Sequence, residues 1–309
     1  MKLKEATELF LADRARRGCM ASTMQTYVDQ TRLFSEFIQS LSIFDVSDIT
    51  THLLEKYIEH MRARGKQGSS RPGRLSAVTI FKRAKMLRTF FLWAHTAGHV
   101  DEDPSAKLVM PRYGRRLPKA LKGHQVMKLL LLPMKPLQKA IVFLMLDSGL
   151  RLSEACGLDV SDVNLTGGTA LIRQGKGDKD RIVIFSERTA EMLRQWLEVR
   201  KASADATAFF TNQFGKRMRA NGMYRLVKKV AREAGLESVM RPHVLRHSFA
   251  TLYLDNGGGI QDLSAMLGHT HIATTMIYIS TSSEGLHRKH RRFSPITRML
   301  DAPMPESLT

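Results

Sequence analysis

The sequence predicts a mainly α-helical fold with one small antiparallel β-sheet, split between a helical N-terminal domain and a mixed α/β second domain. Three observations carry this expectation. Apolar residues recur at three- and four-residue steps through much of residues 3–97, the period of a helix with one buried face. The segment PSAKLVMPRYGRRLPKALK at 104–122 then breaks regular structure with Pro104, Pro111 and Pro118. Beyond it, LDVSDVNLTGGTALIRQGKGDKDRIVIFS at 158–186 reads as three short strands joined by two turns.

In chain order, the clearest helix covers 22–41, where Met24, Tyr27, Val28, Thr31, Phe34, Phe37, Ile38 and Leu41 define one stripe. Ser22 with Gln25 has the spacing of a capping box and predicts the start of that helix. Similar patterns at about 3–17, 51–64 and 76–97 complete a bundle of four or five helices with no strand signal. Between the last two lies RARGKQGSSRPGRLS, a Gly- and Ser-rich loop carrying Arg62, Arg64, Lys66, Arg71 and Arg74. Basic side chains on such a loop can follow a phosphate backbone without a fixed register, although a solvated linker has the same composition.

The stretch containing Arg115 and Arg116 reads as an extended basic connector, which places domains at 1–105 and 120–285 with a linker at 106–119 and a tail at 286–309. Two basic domains on such a connector could close on a duplex as a clamp, and a plain tether has the same composition. Helical patterns follow at about 124–132, 136–147 and 152–157. Asn164 to Gly168 and Gly175 to Asp180 supply the turns of the sheet. Helices return at about 186–201 and 220–234, and again through 241–280 with glycine breaks at 257–259 and 268.

Charge narrows the partner. The 309 residues hold 48 Lys and Arg against 29 Asp and Glu, a net +19. Counted at Leu117, the first part has 20 basic and 12 acidic residues (+8) and the remainder 28 and 17 (+11), so both domains are basic. A basic tail on a neutral enzyme would concentrate the excess at one end, so the even split favours two folded parts facing one polyanion. Cys19 and Cys156 are far apart and lack metal-ligand spacing, which fits a reducing cytoplasm rather than a disulfide framework. The apolar run IVFLML at 141–146 falls well short of the roughly 18 residues a membrane span needs, and MKLKEATELF lacks a signal-peptide core.

The residues able to handle a phosphate or a proton concentrate at 241–280: His243, Arg246, His269 and Tyr278. Arginine offers a planar fork of donors, imidazole exchanges protons near neutral pH, and a phenol can act as nucleophile. His243 and His247, four apart, raise the question of zinc, but no HExxH pattern or third ligand accompanies them. Arg151 opens a short helical segment in LDSGLRLSEACGL, with Glu154 three residues on as a possible intrahelical partner. GKGDKDR at 175–181 lacks the Ser or Thr of a phosphate-binding loop and reads instead as a hairpin turn presenting Lys176. Singly, each of these also fits a charged turn, a packed histidine or a core tyrosine.

Taken in order, SGLRLSEACGL, GKGDKDR, HVLRH, LGH and TTMIYIS resemble the tyrosine recombinase (phage integrase) family, most closely its Xer-like members. The resemblance implies a helical, SAM-like DNA-binding domain followed by a catalytic domain that breaks and rejoins DNA at a specific recombination site. It implies that Tyr278 attacks a phosphodiester to give a 3′-phosphotyrosyl link, with Arg151 and Arg246 on the non-bridging oxygens and Lys176 protonating the departing 5′-oxygen. His243 would exchange the tyrosine proton, His269 would contact the phosphate, and Glu154 would orient its neighbours. Neither metal nor cofactor is implied. The family further implies a tetramer, homomeric or with a related recombinase, in which a C-terminal helix docks on a neighbouring protomer. Two rivals share part of the pattern: a topoisomerase that rejoins the same strand, and a DNA-binding protein with a vestigial site.

Overall fold

A computed structural model describes residues 1–63, 75–114, 119–173, 180–201, 207–269, 271–278 and His290, apart from the side chain of Ser22. The chain falls into two compact units, Met1–Arg115 and Arg116–Thr309. Among the described residues, no helix is long and apolar enough to cross a membrane.

Among the described residues, the first unit is built from α1 (Leu3–Arg16), α2 (Ala21–Gln39), α3 (Thr51–Ala63) and α4 (Ala77–Thr96), with a 3-10 turn at Val46–Asp48. Its centre is aromatic. Phe10 meets Tyr27, Phe90 and Trp93 edge-on at 5.3–5.4 Å between ring centroids, and Phe34 meets Tyr57 in the same way at 5.1 Å. Edge-to-face packing places positive ring edges on negative faces, so these rings bury large areas without repulsion. The stripe expected on α2 is present but narrower: Thr31, Phe34 and Ile38 are buried, whereas Val28 and Leu41 are exposed. The capping expectation fails, because α2 begins one residue before Ser22 with Met20 as its N-cap. A four-residue polar pattern of that kind is common enough by chance to be outweighed by packing of the first turn. By contrast, Ser76 does cap α4, accepting the Thr79 amide at 3.2 Å. Leu108 and Met110 pack on this unit's core.

The second unit surrounds α6 (Pro136–Ser148), which follows α5 (Gly123–Leu130). The apolar run too short to span a membrane is a core helix: Ala140, Ile141, Val142, Leu144 and Met145 are fully buried. Next come α7 (Leu152–Gly157) and the strands β1 (Val163–Asn164), β2 (Thr169–Ile172) and β3 (Arg181–Ile184). The strands form one antiparallel sheet in sequence order, with Val163 opposite Ala170 and Ala170 opposite Val183. Val183 points into the core, while Ile182 and Ile184 are 61% and 56% exposed on the other face. Helices α8 (Glu187–Val199), α9 (Ala220–Glu233), α10 (Pro242–Asp255), α11 (Ile260–Leu267) and α12 (Ala273–Met276) follow. Helix α6 packs against both α8 and α10, and the Asp147 carboxylate at its end accepts three hydrogen bonds at 2.7 Å from Ser186 and Thr189 at the start of α8.

Candidate active site

Arg151 is the N-cap of α7, placed there by a sharp exit from α6. Gly149 makes that turn with φ at +65°, where a Cβ would stand 2.4 Å from the Phe249 ring, so the position demands glycine on both conformational and steric grounds. Glu154, one turn into α7, accepts the Arg151 backbone N–H at 2.7 Å and its guanidinium at 2.6 Å. The local pairing expected at i, i+3 is therefore present. A second guanidinium, that of Arg181 on β3, grips both oxygens of the same carboxylate at 2.9 and 2.7 Å. Burial alone would raise the Glu154 pKa, but the hydrogen bonds from Arg181 and Arg151 outweigh it and hold the value down to about 2. Glu154 is thus a fixed anion at any working pH.

Arg246 comes from the second turn of α10, which Pro242 opens at its first position. It is only 7% exposed. Its Nη1 donates to the Gly149 carbonyl at 2.6 Å and its Nη2 to the Leu267 carbonyl at 2.8 Å, so one side chain ties the turn before Arg151 to the end of α11. Burial, then repulsion from Arg151, lowers its pKa to about 10, which leaves it charged at neutral pH. The Arg246 Nη2 also lies 3.2 Å from His269 Nε2. A guanidinium can only donate, so Nε2 accepts and the ring proton sits on Nδ1, which donates to Thr275 Oγ1 at 2.8 Å.

Thr275 lies on α12, and three residues later Tyr278 is 3% exposed against Phe249, Leu254, Leu263 and Leu267. The ring is core, as an apolar run suggests, but the hydroxyl is not idle. It lies 2.8 Å from Nδ1 of His247. Burial raises the hydroxyl pKa above its ordinary 10.0, while Arg246 and Arg151 pull the other way. His247 is shifted below 6.5 by burial and then by the positive neighbours His243 and Arg246, so it is neutral at pH 7 and its Nδ1 can accept the tyrosine proton.

The fold therefore gathers Arg151, Glu154, Arg246, His269 and Tyr278 into one connected cluster. His243 is exposed on α10, one turn before His247, and the histidine on the tyrosine hydroxyl is His247. Sequence reasoning finds His247 only as a metal-ligand spacing and misses Arg181. It also misses the outer face of α9, where Asn221, Tyr224, Arg225, Lys228 and Lys229 are exposed opposite buried Met223, Val227 and Val230. The 3.6-residue period carries the signal for that face. Arg62 is exposed at the end of α3. Lys176, Arg64, Lys66, Arg71, Arg74, Arg115, Arg116 and the tail from 286, apart from His290, lie outside the described residues.

Two guanidiniums, one deeply buried, lie within electrostatic reach of a tyrosine hydroxyl whose proton has an acceptor, an arrangement with the chemical means to receive an oxyanion beside a tyrosine oxygen. The Phage integrase family pattern matches residues 119–284 and the Phage integrase N-terminal SAM-like domain matches 8–94. Tyrosine recombinase XerC of Roseiflexus castenholzii is 30% identical over 306 residues, covering 95% of this chain and 94% of that protein. Tyrosine recombinase XerD of Corynebacterium glutamicum is 31% identical over 308 residues, covering 96% and 99%. Among solved structures, the Tn1549 transposon integrase in complex with transposon right end DNA aligns with a TM-score of 0.75 at 19% identity, covering 95% of this chain and all of that one. The chain belongs to the phage integrase family and is a Xer-like tyrosine recombinase.

Proposed function

We propose that this protein is a site-specific DNA recombinase that cleaves and rejoins duplex DNA through Tyr278. The observation that carries the reading is the position of Arg246, whose single guanidinium joins the Arg151 turn to the His269 loop within electrostatic reach of the Tyr278 hydroxyl. In the reaction the Tyr278 oxygen bonds to phosphorus as the bond to the 5′-oxygen breaks, giving a 3′-phosphotyrosyl link and a 5′-hydroxyl. Arg151 and Arg246 stabilise charge building on the non-bridging oxygens, a role worth about 10²–10³ in rate per donor. Lys176 gives a proton to the departing oxygen, His269 turns from Arg246 to the phosphate, and Glu154 aims Arg151. His247, bonded to the hydroxyl in the free protein, takes the tyrosine proton during attack, and His243, one turn away, exchanges it onward. The phosphotyrosyl bond keeps the energy of the broken one, so a 5′-hydroxyl from a second duplex can reverse the step without ATP. The test is an SDS-resistant adduct with DNA carrying the cognate site, mapped to the phosphate that is cut. Relaxation of plasmids with no special site would instead indicate a topoisomerase.

The duplex would be held by Arg62 at the end of α3, by Arg64, Lys66, Arg71 and Arg74 in the segment that follows, by Arg115 and Arg116, and by the exposed face of α9. A groove between α7 and the first turn of α9, lined by Ser153, Lys216, Arg217 and Arg219, would add basic side chains beside the site, because α7 also carries Glu154. Lys229 and Arg232 have acidic neighbours in Glu233 and Glu237, whereas among the described residues Arg225 and Lys228 have none. Replacing Arg225 and Lys228 by glutamine is expected to make the dependence of log affinity on log salt shallower by about 0.9 for each phosphate that is no longer neutralised, measured by DNA-binding titrations at several salt concentrations. The working state is a tetramer on two sites in the cytoplasm, with the 286–309 tail docked on a neighbouring protomer. Deletion of that tail should abolish cooperative binding.

A further inference from the structure

We propose that Arg181 is a positioning residue for DNA cleavage: it clamps the carboxylate that aims Arg151 and ties it to the loop that carries His269. This role rests on the recombinase reading above. Arg181 is the first residue of β3, opposite Ile172 at the end of the hairpin where the connecting segment that contains Lys176 joins the two strands. The next residue, Ile182, is outward and exposed, but the Arg181 side chain is 11% exposed and turns inward. Its Nη1 and Nη2 take one oxygen each of Glu154, and its Nε donates to the Met266 carbonyl in the last turn of α11 at 3.1 Å. The stem of the side chain lies against Gly268, where a Cβ would meet Arg181 Cδ at 2.8 Å. Gly268, at φ +63°, directly precedes His269. One side chain thus joins the strand after Lys176, the carboxylate behind Arg151 and the backbone before His269.

Charge and geometry both require it. Glu154 receives four hydrogen bonds, two from Arg151 and two from Arg181, which is about the full capacity of a carboxylate. With Arg181 absent, Glu154 would keep only its two bonds from Arg151, would offset part of that guanidinium's charge and would no longer be held in one plane behind it. Lysine could replace the charge but not the planar fork that holds the carboxylate in one plane. A purely structural ion pair would stabilise the fold without separating binding from chemistry.

The experiment compares wild type, Arg181→Met, Arg181→Lys, Glu154→Gln and the Arg181→Met/Glu154→Gln double variant in full-length protein. Adduct formation is followed in a single turnover at saturating duplex, beside the duplex Kd. Arg181→Met is expected to slow adduct formation about 100-fold, with Kd changed by less than about threefold because no phosphate ligand is removed. Arg181→Lys should recover part of that loss, and adding Glu154→Gln to Arg181→Met should cost little more, since both break one chain of contacts. Unchanged rates, additive losses, or rate and Kd falling together would overturn the role. An independent reading uses carbon NMR of the Glu154 carboxyl in Arg181→Lys, where ionisation should move upward from about 2; an unmoved titration would also overturn it. Absence of any Tyr278-dependent adduct in wild type, with the carboxyl shift present, would instead bring down the parent reading and this role with it.

Discussion

Replacing Tyr278 by phenylalanine is expected to abolish the SDS-resistant adduct while the duplex is still bound. Phenylalanine keeps the ring packed on Phe249, Leu254, Leu263 and Leu267 and removes only the oxygen, so the fold should lose no more than about 1 kcal/mol for the hydrogen bond to His247. No other group in the described cluster can replace that oxygen, and cleavage should fall below detection on a denaturing gel while a native gel shift persists. An unchanged adduct would assign the nucleophile elsewhere. The same pair sets a pH dependence. Tyr278 ionises only above its ordinary 10.0, so at neutral pH its proton must be taken during attack. His247, with a pKa below 6.5, is neutral and able to accept at pH 7, and it loses that ability as pH falls through its lowered value. Cleavage should therefore stay level from pH 8 through neutrality and decline only at acid pH, as pH falls through the lowered His247 value. The sign for stability is the same: a histidine whose folded pKa is depressed contributes stability above its unfolded value, and that contribution is lost as pH falls through the folded one. A His243→Asn variant that keeps the acid limb would assign the limb to His247.

Arg246→Met is expected to be both inactive and unstable. Truncation leaves the buried carbonyls of Gly149 and Leu267 without their donors and frees His269 from the neighbour that sets its tautomer. An unsatisfied buried acceptor costs about 1–3 kcal/mol, partly offset here because burying the guanidinium is itself unfavourable. A net loss of about 3 kcal/mol in urea unfolding is expected from the two orphaned carbonyls. Single-turnover cleavage should fall by about 10²–10³ for the missing phosphate donor, and further if the Arg151 turn loosens. Arg246→Lys retains charge but cannot bridge two carbonyls and a phosphate from one plane, so it should regain stability in part and rate hardly at all. Wild-type cleavage in either variant would remove Arg246 from the site.

Much of the site is legible in the sequence. Arg151, the N-cap of α7, and Glu154 sit three apart, so their pairing is local, whereas His243 and Arg246, also three apart, end on the exposed and the buried side of α10. The helix periods and the turns of the hairpin are local in the same sense. Arg181 is not legible, because in RIVIF it reads as the charged edge of a strand; its partners Glu154 and Met266 lie 27 and 85 residues away. His247 is visible only as a spacing, and a spacing of four on a helix says which face a side chain shares, not what will pack against that face.

By itself the sequence determined the helical first domain, the three-stranded sheet, the basic charge of both parts and the ordered motifs that mark a tyrosine recombinase. Those properties follow from backbone periodicity, turn chemistry and residue type, which act over a few neighbouring positions. Only the tertiary structure decided that Arg246 bridges Gly149 and Leu267, that Arg181 shares Glu154 with Arg151, and that His247 meets Tyr278 across 31 residues. Each of those interactions exists because burial strips water from a polar group and makes it bond whatever donor or acceptor the fold brings within reach.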